Sequence, residues 1–139
     1  LPPLTHAEAR SVEGFIVGLI GREGTFTFGN PLHTSTATAT LATAAPIRAE
    51  TLSITNAGSA VSAGTYFQLG NYLYCVTADK ASGAGTLNFQ PPLREAIAIS
   101  QACDFTLPKS TWRMSANDIG WSINEASIYG FTFACEEAL

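Results

Sequence analysis

Near the start of the chain, apolar residues recur every three or four positions, as on one face of an α-helix: Ala9, Val12, Ile16, Leu19 and Ile20. Thr5 and Glu8 have the spacing of a capping box, and Gly21 is placed to end the helix. The pattern predicts a helix over about residues 5–20. Its single apolar face must pack on a sheet or on another helix.

Gly14 and Gly18 lie one helical turn apart within this segment. Each glycine lowers helix propensity by about 1 kcal/mol relative to alanine. Small residues at both positions permit close approach of a neighbouring backbone, so the pair predicts a tight packing contact.

From Gly24 onward the hydrophobic period changes to two, which is typical of half-buried strands. The clearest element is a hairpin, in which Tyr66–Leu69 and Tyr72–Val76 flank Gly70-Asn71, a two-residue turn whose central residues need positive φ. Further strands are predicted over residues 24–28, 51–55, 86–89, 96–99, 104–107, 111–115 and 128–134. Residues 34–45 are a Thr/Ala segment that fits either a weakly apolar strand or a long loop ordered against a neighbour.

One helix followed by regularly spaced short strands predicts a mainly β fold, an antiparallel β-sandwich or barrel with one N-terminal α-helix packed on it. A chain of 139 residues is large enough to bury a core without metals or disulfides. No repeat or linker divides the sequence. We therefore expect a single domain over residues 1–139, with strands between about residues 24 and 134.

The composition indicates an unusually neutral surface. Only 13% of the residues are charged, against about 25% in a typical globular protein. Such surfaces are common where proteins pack against copies of themselves, and they also occur on secreted β-domains. The net charge of −4 and the scattered basic residues argue against nucleic-acid binding. The longest apolar run, residues 15–20, is far short of the roughly 20 residues of a membrane span.

Cys75, Cys103 and Cys135 lack the close spacing of a zinc site, and an odd number cannot form a complete disulfide framework. The favoured interpretation is three small, buried apolar side chains. Two alternatives stay open: one disulfide with a remaining thiol, or a cysteine that is a ligand to a cluster in a larger assembly. We expect no cofactor and no metal.

Candidate catalytic groups are few. The chain has only His6 and His33 to serve as a base, and both lie in segments where solvated histidines are common. Five acids are available for a paired-carboxylate mechanism, but their positions fit turns and the surface better than a catalytic pair: Asp79, Glu95, Asp104, Asp118 and Glu125. We expect that the protein is not an enzyme, and a hydrolase acting through Asp79, Asp104 or Asp118 ranks last.

Five aromatic residues offer a possible platform on which a sugar ring would stack: Tyr66, Tyr72, Tyr74, Trp112 and Trp121. Aromatic residues are also the ordinary filling of β-cores and subunit contacts. A carbohydrate-binding module for host attachment is therefore the alternative to a purely structural role.

Three segments resemble a family of siphophage and prophage tail proteins. The first is LPPL at residues 1–4, followed by the helix and by LIGREGTFTFGNP at residues 19–31. The second, and most specific, is AGTYFQLGNYLY at residues 63–74 with GTLNFQPPLR at residues 85–94. The third is WSINEASIYGF at residues 121–131 with EEAL at the end.

This family is related in role to distal tail and minor tail proteins, and it occurs also in gene-transfer-agent-like particles. Members usually carry a further N-terminal β segment, so the resemblance implies a fragment or a shortened version. The family pattern does not require the three cysteines. The resemblance implies a ring-forming building block of the virion at the distal tail or tail tip, which joins the tail tube to the hub or fibres and carries no catalytic residues.

For such a role the partners are copies of the chain in a ring and other tail proteins, without nucleic acid and without membrane insertion. Loops on a rigid frame commonly carry recognition. We expect residues 34–45 and 78–85 to be the contact elements. The candidate subunit-contact residues are Thr36, Thr38, Thr40, Leu41, Asp79, Lys80 and Ser82.

Overall fold

A computed structural model describes residues 4–30, 32, 33, 35–55, 57–117, 120–123 and 129–138, with only the backbone described at 120–123, 129 and 130. The fold is mainly β with antiparallel strands and one N-terminal helix, α1, which confirms the predicted fold class. α1 is His6–Gly18. The described strands are β1 (Thr25–Phe28), β2 (Thr38–Thr40), β3 (Thr51–Ile54), β4 (Tyr66–Leu69), β5 (Tyr72–Val76), β6 (Gly85–Gln90), β7 (Ala102–Asp104), β8 (Ser110–Met114), β9 (Gly120–Ile123), β10 (Tyr129–Thr132) and β11 (Cys135–Glu137).

The chain divides into two compact units. The first is formed by residues 1–27 and 111–139, and the second by residues 28–110. The first unit therefore combines the two ends of the chain, whereas the second is one continuous segment. The expectation of a single domain over residues 1–139 stays a prediction.

The capping box at the start of α1 is present. The Glu8 carboxylate accepts hydrogen bonds from the Thr5 backbone N–H at 2.9 Å and from the Thr5 hydroxyl at 2.7 Å. These two bonds lower the pKa of Glu8, since both favour the ionised carboxylate. The helix stops at Gly18, earlier than predicted, and the chain turns through Ile20 and Gly21, both of which have positive φ.

The apolar face of α1 packs on the strands of the first unit. Ala9, Ile16 and Leu19 are buried against Met114 of β8 and Phe131 of β10. Ile20 was expected on this face, but it lies beyond the helix end and is exposed. The predicted tight contact at Gly14 and Gly18 is wrong for the described part of the chain, where a methyl group at either position would meet nothing within 4 Å outside the helix backbone.

The first unit contains a three-stranded sheet in the order β1-β8-β11 and the hairpin β9-β10. In β1, Phe26 is half-buried, and its ring packs edge to face on the Phe15 ring of α1 at 5.4 Å. Arg113 of β8 and Glu136 of β11 are cross-strand partners. The Arg113 Nε donates to Glu136 Oε1 at 2.9 Å, and an Arg22 Nη2 donates to the same oxygen at 3.1 Å.

The second unit contains a six-stranded antiparallel sheet in the order β2-β7-β4-β5-β6-β3. Its two outermost strands meet at an antiparallel bridge between Leu41, directly after β2, and Ile54 of β3. Two backbone hydrogen bonds frame this bridge, Ala42 N–H to Ser53 O at 2.8 Å and Thr55 N–H to Thr40 O at 2.9 Å. The sheet therefore curls around its core until its outer strands join at one end.

Aromatic side chains fill the core of the second unit. The fully buried Phe67 ring lies 5.1 Å from Phe105, 5.7 Å from Tyr74 and 5.7 Å from Phe89. Burying rings of this size dominates the stability of a small β-core. The Tyr74 hydroxyl accepts the Arg94 backbone N–H at 3.3 Å, which provides a partner for its polar end.

The predicted hairpin is confirmed, with Leu69 paired to Tyr72 across the turn. Only Gly70 of the two central residues has positive φ, at 61°. This places the glycine at the first central position, as a type II′ turn requires, so the expectation of positive φ at Asn71 was wrong. Glu95 also favours glycine here, because its carboxylate occupies the space that a Cβ on Gly70 would need.

Several other strand predictions need correction. The strand predicted over residues 96–99 is only an isolated bridge between Ile97 and Ala45. The strand predicted over residues 104–107 lies earlier, as β7, and Asp104 ends it by capping the following turn. Neither β9 nor β11 was predicted. The start of the strand predicted from residue 128 lies outside the described residues, as does Asn56 of the turn predicted after β3.

Candidate functional site

The Thr/Ala segment forms a short strand with two distinct faces. Thr36 and Thr38 are exposed and Thr40 is half-buried, whereas the alanines between them point into the core. Leu41 is fully buried, so its side chain is not available to another subunit in this conformation. Alternation along the strand therefore leaves the threonines as the outward residues of this predicted contact element.

A shallow groove of about 500 Å³ runs along the outward face of β2 and β7. Strand register sets Thr38 opposite Asp104 and Thr40 opposite Ala102. We call this the threonine groove and define it by its outward residues, Thr38, Thr40, Thr55, Ala102, Asp104 and Thr106. Sequence patterns indicated Thr38 and Thr40 but not Thr55 or Thr106. Thr55 joins them because the sheet curls and its outer strands meet, and Thr106 because it follows β7, which pairs with β2.

The threonine groove is polar but nearly uncharged. Asp104 is its only ionisable outward residue, and its Oδ1 accepts the backbone N–H groups of Thr106 at 2.9 Å and Leu107 at 3.1 Å. The Thr40 and Thr55 hydroxyls are hydrogen-bonded to each other at 2.7 Å. Hydroxyl and methyl groups side by side can contact a protein surface through neutral hydrogen bonds and small apolar patches.

The second predicted contact element, residues 78–85, forms a loop whose charged residues bond within the chain. Asp79 is exposed, and its Oδ1 accepts the Ala63 backbone N–H at 2.8 Å. Lys80 is half-buried, and its ammonium donates to backbone carbonyls of its own loop. Ser82 is exposed at the loop surface.

Residues 57 and 58 lie next to both predicted contact elements. The Ala57 N–H donates to the Gly83 carbonyl of the loop at 3.2 Å. Gly58 is so close to Thr38 that a Cβ there would be 3.1 Å from the Thr38 hydroxyl. The fold thus brings the threonine groove and the 78–85 loop to the two sides of one short segment.

Exposed apolar residues add to the neutral surface of the second unit. Leu107, which directly follows Thr106 of the threonine groove, is 65% exposed, and Leu32 is 86% exposed. Ile99, on the segment that leads into β7, is 60% exposed. Exposed apolar side chains are common as single residues on protein surfaces, so these three do not by themselves mark a contact surface.

The candidate catalytic groups have structural partners. The His33 Nε2 lies 2.7 Å from the Phe105 carbonyl oxygen, and Asp79 and Asp104 each accept backbone N–H groups at a turn or loop. The Glu95 carboxylate lies beside Gly70 of the hairpin turn. Asp118 and Glu125 lie outside the described residues. In the described part of the chain, no group of three or more His, Cys, Asp or Glu side chains is arranged to hold a metal ion. None of the described helices has the length and apolar character of a membrane span.

The predicted aromatic platform is divided between the two faces of the sheet. Tyr66 points outward and is 48% exposed, whereas Tyr74 is fully buried in the core. Tyr72 lies on the inner face, with the Arg94 guanidinium 5.2 Å from its ring centre. Trp112 is half-buried, and the Trp121 side chain is not among those described. The three tyrosines therefore do not form one stacking surface.

The three cysteines are free thiols in three different environments. Cys103 is buried in β7, and burial raises its pKa to about 12. Cys75 is half-buried, and Cys135 is exposed in β11. The expectation of three buried apolar side chains is therefore correct for Cys103 and wrong for Cys135.

No known protein-family model matches this chain, and no curated protein sequence is significantly similar to it. A functional interpretation therefore depends on the residues of the chain. Of the seven predicted contact residues, five lie in the threonine groove or the adjoining loop: Thr38, Thr40, Asp79, Lys80 and Ser82.

Proposed function

We propose that this protein is a structural component of a tailed-phage particle, located at the distal tail or tail tip, where it joins the tail tube to the hub or fibres through protein contacts. The resemblance of its sequence segments to tail proteins supports a location in the tail. The adjacency of the threonine groove and the 78–85 loop supports the mode of action, since it sets the two predicted contact elements beside one short segment, and the groove is nearly uncharged. In this role the protein carries out no covalent chemistry.

The neutrality of this surface supports self-association. Burying an ion in an interface requires removing its water, which costs several kcal/mol per ion, whereas threonine hydroxyls cost far less and regain hydrogen bonds across the contact. Asp104 is the one acid in the groove, and its carboxylate already has two backbone donors. Copies meeting through two different patches would close into a ring, for which threefold or sixfold symmetry fits a tail.

The proposal is tested by adding one charge to the groove. We expect the purified wild-type chain to form a closed oligomer in analytical ultracentrifugation and Thr38→Glu to be monomeric at the same concentration, because glutamate adds a second negative charge opposite Asp104. Thr27→Glu is the matched control, because Thr27 is an exposed threonine on β1, outside the groove and the 78–85 loop. It should assemble like the wild type.

The tail location needs a separate measurement. Cross-linking mass spectrometry on assembled particles should detect links from residues 34–45 or 78–85 to another subunit. A wild-type chain that stays monomeric and joins no particle would contradict the proposal. Equal assembly of Thr38→Glu and Thr27→Glu would show that the groove is not the contact.

A further inference from the structure

The ammonium group of Lys80 is enclosed by its own loop. Its Nζ donates to the carbonyl oxygens of Ala81 at 2.7 Å, Gly83 at 2.9 Å and Ala84 at 3.3 Å. An ammonium has three N–H donors, so these three carbonyls match its full donor capacity. The loop of residues 81–84 thus folds around the ammonium of Lys80, which stays partly exposed.

The base of the loop is fixed by the backbone. Lys80 and Val61 exchange a pair of hydrogen bonds, each of 2.8 Å, in an isolated antiparallel bridge. The Gly83 carbonyl accepts a second hydrogen bond from the Ala57 N–H. Lys80 therefore starts from a rigid position, and only its side chain reaches over to residues 81–84.

No salt bridge to Lys80 is found among the described residues, whereas Arg22 and Arg113 each form one with Glu136. The neighbouring Asp79 carboxylate bonds to Ala63. Three carbonyl dipoles that converge on one point repel each other unless a cation lies between them. Gly83 and Gly85 have φ values of 95° and 144°, so the backbone adopts conformations open mainly to glycine to place these carbonyls.

We propose that Lys80 is a charge-dependent latch, whose ammonium holds residues 81–84 in one preformed shape, and that loss of this charge by substitution or acylation releases the loop. The latch is a property of the free chain. Its value for tail assembly rests on the proposed function, because a preformed contact loop loses less conformational entropy on docking.

The sequence provides a matched control, since Lys80 and Lys109 are its only lysines. Lys109 is exposed. In Lys80→Met, which keeps the length of the side chain but has no donor, we expect backbone order parameters at residues 81–84 to fall from about 0.85 to below about 0.6 by NMR relaxation. In Lys109→Met they should stay at the wild-type value.

A second measurement uses the wild-type chain and does not depend on how a variant folds. During brief treatment with acetic anhydride, an amine nitrogen attacks a carbonyl carbon, acetate leaves and a proton passes to solvent. We expect Lys80 to be acetylated at least about tenfold more slowly than Lys109, because three hydrogen bonds must break first. Peptide mass spectrometry gives both rates in one sample.

Equal acetylation of the two lysines, or an equally ordered loop in Lys80→Met, would overturn the latch. Neither measurement involves a tail component or a second subunit. The latch can therefore fail while the tail proposal stands, and the tail proposal can fail while the latch stands.

Discussion

Leu41 and Ile54 face each other across an antiparallel bridge that joins the two outermost strands of the six-stranded sheet. Both side chains are buried in the same core. Exposed sheet edges invite pairing with other chains, and joining the outer strands removes part of that edge. The bridge also brings Thr55 to the threonine groove, so one contact links the stability of the unit to its candidate surface.

Thr55→Pro tests this junction. Proline removes the Thr55 N–H, which donates to Thr40 O at 2.9 Å, and it leaves that carbonyl without this donor. We expect a loss of about 1–3 kcal/mol in the free energy of unfolding, and aggregation through the opened strand edges. Urea denaturation and light scattering measure the two effects.

Thr55→Val is the matched control for this substitution. Valine removes the hydroxyl that bonds to Thr40 but keeps the backbone N–H and the β-branched shape. We expect a loss of less than about 1 kcal/mol and no aggregation, because the hydroxyl pair is partly exposed. Similar stability of the proline and valine variants would show that the junction contributes little.

Two glycines in the first unit should respond to alanine with opposite signs. Gly14→Ala should stabilise α1 by about 1 kcal/mol, since the new methyl group meets nothing nearby. Gly21→Ala should destabilise the unit by at least about 1 kcal/mol, because residue 21 has a φ of 65° and the new Cβ would collide with the Asn117 side chain. Thermal unfolding of both variants gives the comparison.

The two glycine substitutions also test the packing of α1. A helix face docked tightly at Gly14, as the sequence spacing suggested, would make Gly14→Ala destabilising. The Asn117 Oδ1 near Gly21 accepts the Arg22 backbone N–H at 3.1 Å. Asn117→Ala should therefore reduce the penalty of Gly21→Ala, although it removes this hydrogen bond.

Thiol reactivity should differ among the three cysteines. At about pH 8 we expect Cys135 to react first with an aromatic disulfide reagent, because it is the exposed thiol. Partial burial raises the pKa of Cys135 and so slows this reaction, since the thiolate is the reactive form. Burial raises the pKa of Cys103 to about 12, so Cys103 should react only when the second unit opens. Cys135→Ser should abolish the fast phase, and Cys103→Ser should keep it. If fewer than three thiols react in denaturant without reductant, two of the cysteines form a disulfide, which is one of the alternatives left open by the sequence.

Elements with a local signal were predictable from the sequence. The capping box of Thr5 and Glu8 fixed the start of α1, and Gly70 with its flanking aromatic residues fixed the hairpin. β11 was missed because Glu136 and Glu137 do not favour strands. That strand is stabilised by pairing with β8, more than 20 residues away along the chain, and by the arginines that contact Glu136.

The candidate surface could be predicted only in part. Thr38 and Thr40 stand out in the sequence because they alternate with alanines, and alternation defines a face. Thr106 joins them through the register of β2 with β7, and Gly58 through a close approach to Thr38, neither of which has a local signal. Lys80 was predicted as a contact residue because it lies in a loop on a rigid frame, yet its ammonium bonds inside that loop.

The Glu136 carboxylate should make the stability of the first unit sensitive to acid. The hydrogen bond from Arg113, supported by the charges of Arg113 and Arg22, lowers the pKa of Glu136 below its ordinary value of 4.5. The unfolded chain therefore binds a proton more readily, so the stabilisation is complete above pH 4.5 and is lost as the pH falls through the lower folded value.

We expect Glu136→Gln to flatten the decline of unfolding free energy in this acid range. Glu13→Gln, which removes an exposed carboxylate from α1, should leave the decline steep. Added salt should weaken the wild-type effect, since these charges are partly exposed. An identical pH dependence for wild type and Glu136→Gln would show that the arginine contacts do not persist in solution.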